Sequence, residues 1–178
     1  MIKLVFIVNG MARCGKDTFA QFVGDLVPTK KISSIDKVKN IARQCGWDGV
    51  SKTEKDRKFL SDLKVLTSEY SDMPMRYICD LYNEFIRDSE HVVLLIDIRE
   101  PENIKVAKQL FNATTILIRN KNVKQINSNM ADANVENYDY NYILENNGSL
   151  DEFRDITNDF MKNYLNNITK GDNNERTV

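Results

Sequence analysis

A β-branched apolar run, "KLVFIV", passes without a break into "NGMARCGKDTF" at residues 9 to 19, and this junction limits the fold more than any other stretch of the chain. A run of that kind suits a strand buried on both faces. Behind it Gly10, Gly15 and Lys16 keep the phosphate-loop spacing of Gly, four free positions, Gly and Lys. "KDTFAQFVGDL" follows, with Phe19, Phe22, Val23 and Leu26 at helical intervals. Strand, glycine turn and helix start in direct succession aim backbone N–H groups and a helix N-terminus at phosphate oxygens. One letter departs from the pattern: Asp17 stands where a hydroxyl residue is expected, and Thr18 comes one position later. The hydroxyl normally gives magnesium a hard oxygen, and a carboxylate is a hard oxygen donor too. Thr18 is then placed to offer a hydroxyl to the α-phosphate. The loop is therefore expected to bind a magnesium nucleotide through Gly10, Arg13, Cys14, Gly15, Lys16, Asp17 and Thr18. Arg13 reads equally as a solvated surface arginine, and Cys14 as a small tolerated side chain.

Beyond the loop, strands alternate with helices. "KKISSI" is a short second strand, and "DKVKNIARQCGW" is a helix that Asp36 is placed to cap. Residues 52 to 90 read as helical with a break around Met73-Pro74. "HVVLLIDI" is the second clear buried strand, Pro101 opens the helix "PENIKVAKQLF", and "TTILIR" is a further strand. "YDYNYILEN" alternates like a strand, and Ser149 with Glu152 forms a capping box for the closing helix "SLDEFRDITNDFMKNYL". This order predicts a three-layer α/β P-loop domain over residues 1–166, with a five-stranded parallel sheet covered on both faces. The Asn-rich stretch 120–137 reads as a long polar loop, and 167–178 as a frayed polar tail.

Composition removes several alternatives. With 25 basic and 26 acidic residues, the net charge of −1 argues against gripping nucleic acid through an overall positive field. Cys14, Cys45 and Cys79 lack metal-type spacing, which fits a reduced cytoplasmic chain. His91 is the only histidine, so chemistry needing two histidines on zinc is excluded. No stretch is apolar for long enough to cross a membrane, and the opening run is too short for a signal-peptide core.

"GKDT" after a strand, and a hydrophobic strand ending in "DIR" much later, resemble the deoxynucleoside monophosphate kinases of phages and bacteria, relatives of adenylate kinase whose phosphate loops carry Asp at this position. "SSIDKVKNIARQCGWDG" is similar to that family's Phe-Ala-Asp-Pro-Leu-Lys segment and the helix behind it. "KTEKDRKFLSDL" resembles its acceptor-side helix, which carries an arginine, and "IDIREPENI" its Asp-Val-Arg-Phe-Pro-Asn-Glu stretch. "YDYNYILENNGSLDEF" resembles its closing strand, turn and helix, so the likeness covers roughly residues 2 to 165.

The resemblance implies ATP-dependent phosphorylation of a (deoxy)nucleoside monophosphate, with magnesium. Lys16 would bridge the β- and γ-phosphates. Asp97, at the carboxyl end of its strand, would hold magnesium through water, and reads otherwise as a loop cap. Arg99 and Arg57 would clamp the acceptor phosphate, for which the guanidinium fork is suited. Arg99 also reads as a partner of Glu100 or Glu102, and Arg57 as part of a solvated face. Asp36 would face the acceptor sugar or the metal, and a helix N-cap explains it equally. Arg119 would stack on the donor adenine. The acceptor-side helices would occupy about 36–90, and the lid would fall at about 120–137, where only Lys121 and Lys124 replace the arginines of related kinases. The partners implied are small-molecule nucleotides, with a homodimer left open and neither nucleic acid nor membrane involved. Two other readings keep the fold: a kinase for a dephospho-coenzyme A-like or phosphomevalonate-like acceptor, and a protein that binds nucleotide without turning it over.

Overall fold

Strand β1 (Leu4–Asn9) is buried along its whole length. Its alternate residues divide between two cores. Leu4, Phe6 and Val8 face one core, and Val5 and Ile7 the other. In β3 (Val93–Asp97) the same parity sends Val93 and Leu95 to the first core and Leu94 and Ile96 to the second. A strand that must satisfy two apolar layers has no polar face to spare, which is why these two segments read as unbroken hydrophobic runs. The computed structural model describes residues 2–123 and 135–174, with side chains described to residue 168.

The sheet has five strands in the order β2-β3-β1-β4-β5, where β2 is Thr29–Ser33, β4 is Thr114–Arg119 and β5 is Tyr142–Glu145. All four pairings are parallel. Helices α1 (Lys16–Leu26) and α6 (Leu150–Asn174) cover one face through Phe19, Phe22, Phe153 and Phe160. Helices α4 (Met73–Arg87) and α5 (Pro101–Phe111) cover the other through Ile78, Phe85, Ile104 and Phe111. Helices α2 (Asp36–Gln44) and α3 (Glu54–Ser71) stand at the carboxyl end of β2, α3 packing on α2 and α4. The three-layer α/β arrangement expected from the sequence is the fold observed. Among the described residues no helix is long and apolar enough to cross a membrane.

Four boundaries differ from the expectation. The second strand ends at Ser33, because the Ser33 N–H bonds the Asp36 carboxylate (2.9 Å) and the chain turns there. The long helical stretch divides at Asp72, which takes a left-handed conformation (φ 49°), so Met73 and Pro74 open the second helix. Helix α4, among those expected on the acceptor side, also packs on the second core. Strand β5 begins only at Tyr142, since Tyr138 and Tyr140 leave the sheet and pack on the second core. The closing helix does not fray at 167; it runs to Asn174. Phe153, Phe160, Met161, Tyr164, Leu165 and Ile168 extend one apolar stripe along it, and the last of these still rests on the first core. The capping box at its start is present, with the Ser149 N–H bonded to Glu152 (2.6 Å) and the Glu152 N–H to Ser149 Oγ (3.2 Å). Within the expected lid, residues 124–134, Lys124 among them, lie outside the described residues.

Candidate active site

The carboxyl ends of parallel strands collect ligands where neighbouring strands send their connections apart, and the glycine loop leaves β1 at such a point, between β3 and β4. Buried Asn9 fixes its start: the side-chain amide donates to the Arg99 carbonyl (3.2 Å) and to the Tyr140 hydroxyl (2.7 Å), and its oxygen accepts the Gly10 N–H (2.8 Å). Gly10 (φ 150°) passes so close to β4 that a Cβ there would lie 2.4 Å from the Ile118 carbonyl oxygen. Arg13 takes a left-handed φ of 66° and Gly15 one of 109°, which turns the loop into α1. The loop's outer wall is fixed by Asn146, whose amide donates to the Cys14 carbonyl (2.9 Å). Gly15 is the N-cap of α1 and supplies no capping side chain, so no side chain of the cap residue covers the helix N-terminus.

Lys16 lies across this loop, donating to the carbonyls of Gly10 (2.6 Å) and Met11 (2.8 Å). Cys14 is buried, and burial pushes its thiol above the ordinary range, with Lys16 opposing it. Arg13, Gly15, Lys16, Asp17 and Thr18 all line a cleft of about 740 Å³ that opens from the loop toward α2 and α3. Asp36, Arg57, Asp97 and Arg99 line it as well. The structure thus brings most of the sequence-predicted site residues into one cavity.

Their local partners explain how each is held. Asp36 is the first residue of α2 and not its cap; its carboxylate takes the Ser33 N–H and pairs with Lys39 at 3.7 Å. Arg57 donates from Nε to the Lys52 carbonyl (3.1 Å). Asp97 ends β3 with its carboxyl turned toward Lys31 Nζ, 3.1 Å away, and the same ammonium pairs with Asp17. Burial raises the Asp97 carboxyl above the ordinary range, with Lys31 opposing it. Asp17 is held below that range by its hydrogen bond from Lys31. Burial alone would lower the Lys31 ammonium, but Asp97 and Asp17 together outweigh it and raise it. Two carboxylates gathered on one cation are the hard-oxygen set a magnesium ion takes, so Asp17 and Asp97 fit that ion, with Lys31 marking the place of positive charge between them.

Arg119 is set apart. It sits at the carboxyl end of β4, outside the cleft lining, and its guanidinium bonds Glu136 (2.5 and 3.2 Å) and Glu145 (3.2 Å). Gly10 and Cys14 likewise support the loop from beneath and do not line the cleft.

Sequence reasoning passed over Asn9, Lys31 and Lys64. Lys64 lies two turns beyond Arg57 on the same face of α3, donating to Glu100 (2.5 Å) and Ser34 (3.3 Å). Burial alone would raise the Glu100 carboxyl, yet Lys64 outweighs it and holds the group below its usual range. The seven-residue spacing from Arg57 was the available signal for Lys64. Lys31 carried no such signal, since β2 is an edge strand in which Lys30 stands beside it and only Ile32 is buried.

No protein-family model matches the sequence, and no curated protein matches it. Solved structures do resemble the fold. A dephospho-CoA kinase from Campylobacter jejuni shares 20% identity over 92% of this chain and 98% of its own, with a TM-score of 0.51. An APS kinase from Mycobacterium tuberculosis shares 13% over 90% of this chain and 98% of its own, with a TM-score of 0.50. At such identities the likeness concerns architecture: the chain has the fold of these P-loop kinases.

Proposed function

We propose that the protein transfers the γ-phosphoryl group of ATP to a small phosphate-bearing acceptor, and that the acceptor is a (deoxy)nucleoside monophosphate. The observation that carries the reading is the charge of the cleft. Eight cationic and four acidic side chains line it, in a chain whose net charge is −1. Positive charge concentrated at one concave site suits a nucleoside triphosphate and a phosphate-bearing acceptor meeting there.

The glycine loop and the N-terminus of α1 bind the donor phosphates, with Lys16 and Arg13 neutralising them. Arg57 from α3 and Arg99 from just past the end of β3 clamp the acceptor phosphate. Arg119, fixed by its two carboxylates, is assigned to the donor base. Asp17 and Asp97 would hold magnesium, which when bound neutralises charge between the phosphates. An acceptor phosphate is already ionised at neutral pH, so no general base is required, in keeping with a chain that has a single histidine far along the sequence from the loop. The chemistry is then mostly positioning and charge.

The test is ADP release from ATP and magnesium across a panel of ribo- and deoxyribonucleoside monophosphates. ADP that appears only with one acceptor is the expected result. The name of the Campylobacter structure places dephospho-CoA on the same panel. ATP binding without ADP from any acceptor would overturn the kinase reading in favour of a nucleotide-binding protein that does no turnover.

A further inference from the structure

We infer that Lys31 is a resident counter-ion of the divalent-cation site, holding Asp17 and Asp97 so that the metal enters with the nucleotide and not ahead of it. The strand parity puts it there. Lys31 pairs in register with Leu95, and Ser33 with Asp97, so Lys31 stands on the same face of the sheet as Leu95 and Asp97, the face that α1 covers. Lys30, one residue earlier, points the other way and reaches Glu84 of α4 at 3.4 Å. Asp17 lies in the first turn of α1, directly above this face, and completes the bridge. One ammonium therefore contacts the carboxylates of two different elements, at the mouth of the cleft.

The energetic consequence follows from tethering. A side chain anchored in a strand meets the carboxylates at high effective concentration, and a free divalent ion has to displace it while also giving up water. With Lys31 in place the two acids present one net negative charge, and Lys16 and Lys39 bear on Asp17 as further positive charges. Nucleotide phosphates change this balance. They bring negative charge and oxygen ligands for the metal, and they give the displaced ammonium an anion to pair with. Metal and nucleotide binding are thereby coupled through one lysine.

The inference rests on the nucleotide-binding part of the reading above. Its test measures no turnover, so the two fail separately. Mn²⁺ would be titrated into the whole protein without nucleotide, by electron paramagnetic resonance of the free ion. The variants are Lys31→Gln, Lys31→Arg and the double variant Lys31→Gln/Asp97→Asn. Lys31→Gln is expected to bind Mn²⁺ at least about tenfold more tightly than the wild type. Lys31→Arg keeps the cation and should stay close to the wild type, and the double variant should lose the gain. With a non-hydrolysable ATP analogue present, the advantage of Lys31→Gln should shrink. Equal Mn²⁺ affinity in wild type and Lys31→Gln, with both folded by circular dichroism, would overturn the inference; so would a gain that survives Asp97→Asn.

Discussion

Lys16 is held at the centre of the loop by two carbonyls, so its ammonium needs little reorganisation to serve phosphate oxygens. Lys16→Ala is expected to lower turnover on the order of 10³-fold, while the melting temperature moves little, because the side chain lines the cleft and not the core. Steady-state ADP release and a thermal melt on the same preparation check both halves. Two glycines give a contrast in backbone terms. At Gly10 an added methyl meets the Ile118 carbonyl at 2.4 Å and Cys14 Sγ at 2.5 Å, in a positive-φ conformation. Gly10→Ala should therefore cost about 1–3 kcal/mol and shift the melt down by several degrees. Gly24 lies exposed within α1, with nothing inside 4 Å of its hypothetical Cβ. Gly24→Ala should gain up to about 1 kcal/mol from helix propensity. If both substitutions proved neutral, the loop would not be pressed against β4 as described.

Among the elements, α3 is unusual in burying no residue at all. Its start is held by a reciprocal capping box, in which Thr53 Oγ1 accepts the Asp56 N–H (3.2 Å) and Asp56 accepts the Thr53 N–H (3.0 Å). Thr53→Ala should cost about 1 kcal/mol and, because Arg57 sits one turn on, raise the KM for the acceptor more than it lowers kcat. A second element-level prediction concerns the turn between α4 and β3. Asp88 accepts the Glu90 N–H (2.5 Å) and contacts the His91 ring, and these bonds pull its carboxyl down to about 2 from an ordinary 3.8. A carboxyl depressed in the folded chain stabilises it above the unfolded value, and that contribution fades as pH falls from 3.8 toward 2. Asp88→Asn should thus be less stable than the wild type at neutral pH and converge with it near pH 2. Denaturant midpoints across that range give the answer, and a gap that persists at the acid end would assign the effect to something other than ionisation.

Across the whole molecule, what the sequence disclosed was set by how strongly burial constrains each residue. β1 and β3 were legible because both faces are covered, leaving no room for a polar letter before the last residue of each, and the glycine loop because its spacing follows from phosphate geometry. Lys31 and Lys64 were not, because a lysine in an edge strand or a charged helix looks solvated until its partner from another element is placed. The end of α6 was missed because its last core contact, Ile168, sits in a segment rich in Asn.

The same contrast in burial predicts where the molecule moves. Phe6, Ile7, Leu94, Leu95 and Ile96 are fully enclosed at the centre of the sheet, whereas α3 packs chiefly on α2 and α4 and buries none of its own residues, while carrying Arg57 and Lys64 into the cleft. Local opening follows the fewest buried contacts, so amides of α3 should exchange faster than those of α1, α4, α5 or the sheet. The cleft's cations repel one another across the space between α3 and the loop, and a pair of anionic ligands would reverse the sign of that interaction. Closure of this kind would also exclude water from the transfer. Adding a non-hydrolysable ATP analogue together with the acceptor should therefore slow exchange in α3 by about tenfold or more and leave β1 and β3 unchanged. Protection in α3 that is already high without ligands, and indifferent to them, would mean that the two walls of the cleft are fixed in place and that water must be excluded by some other segment.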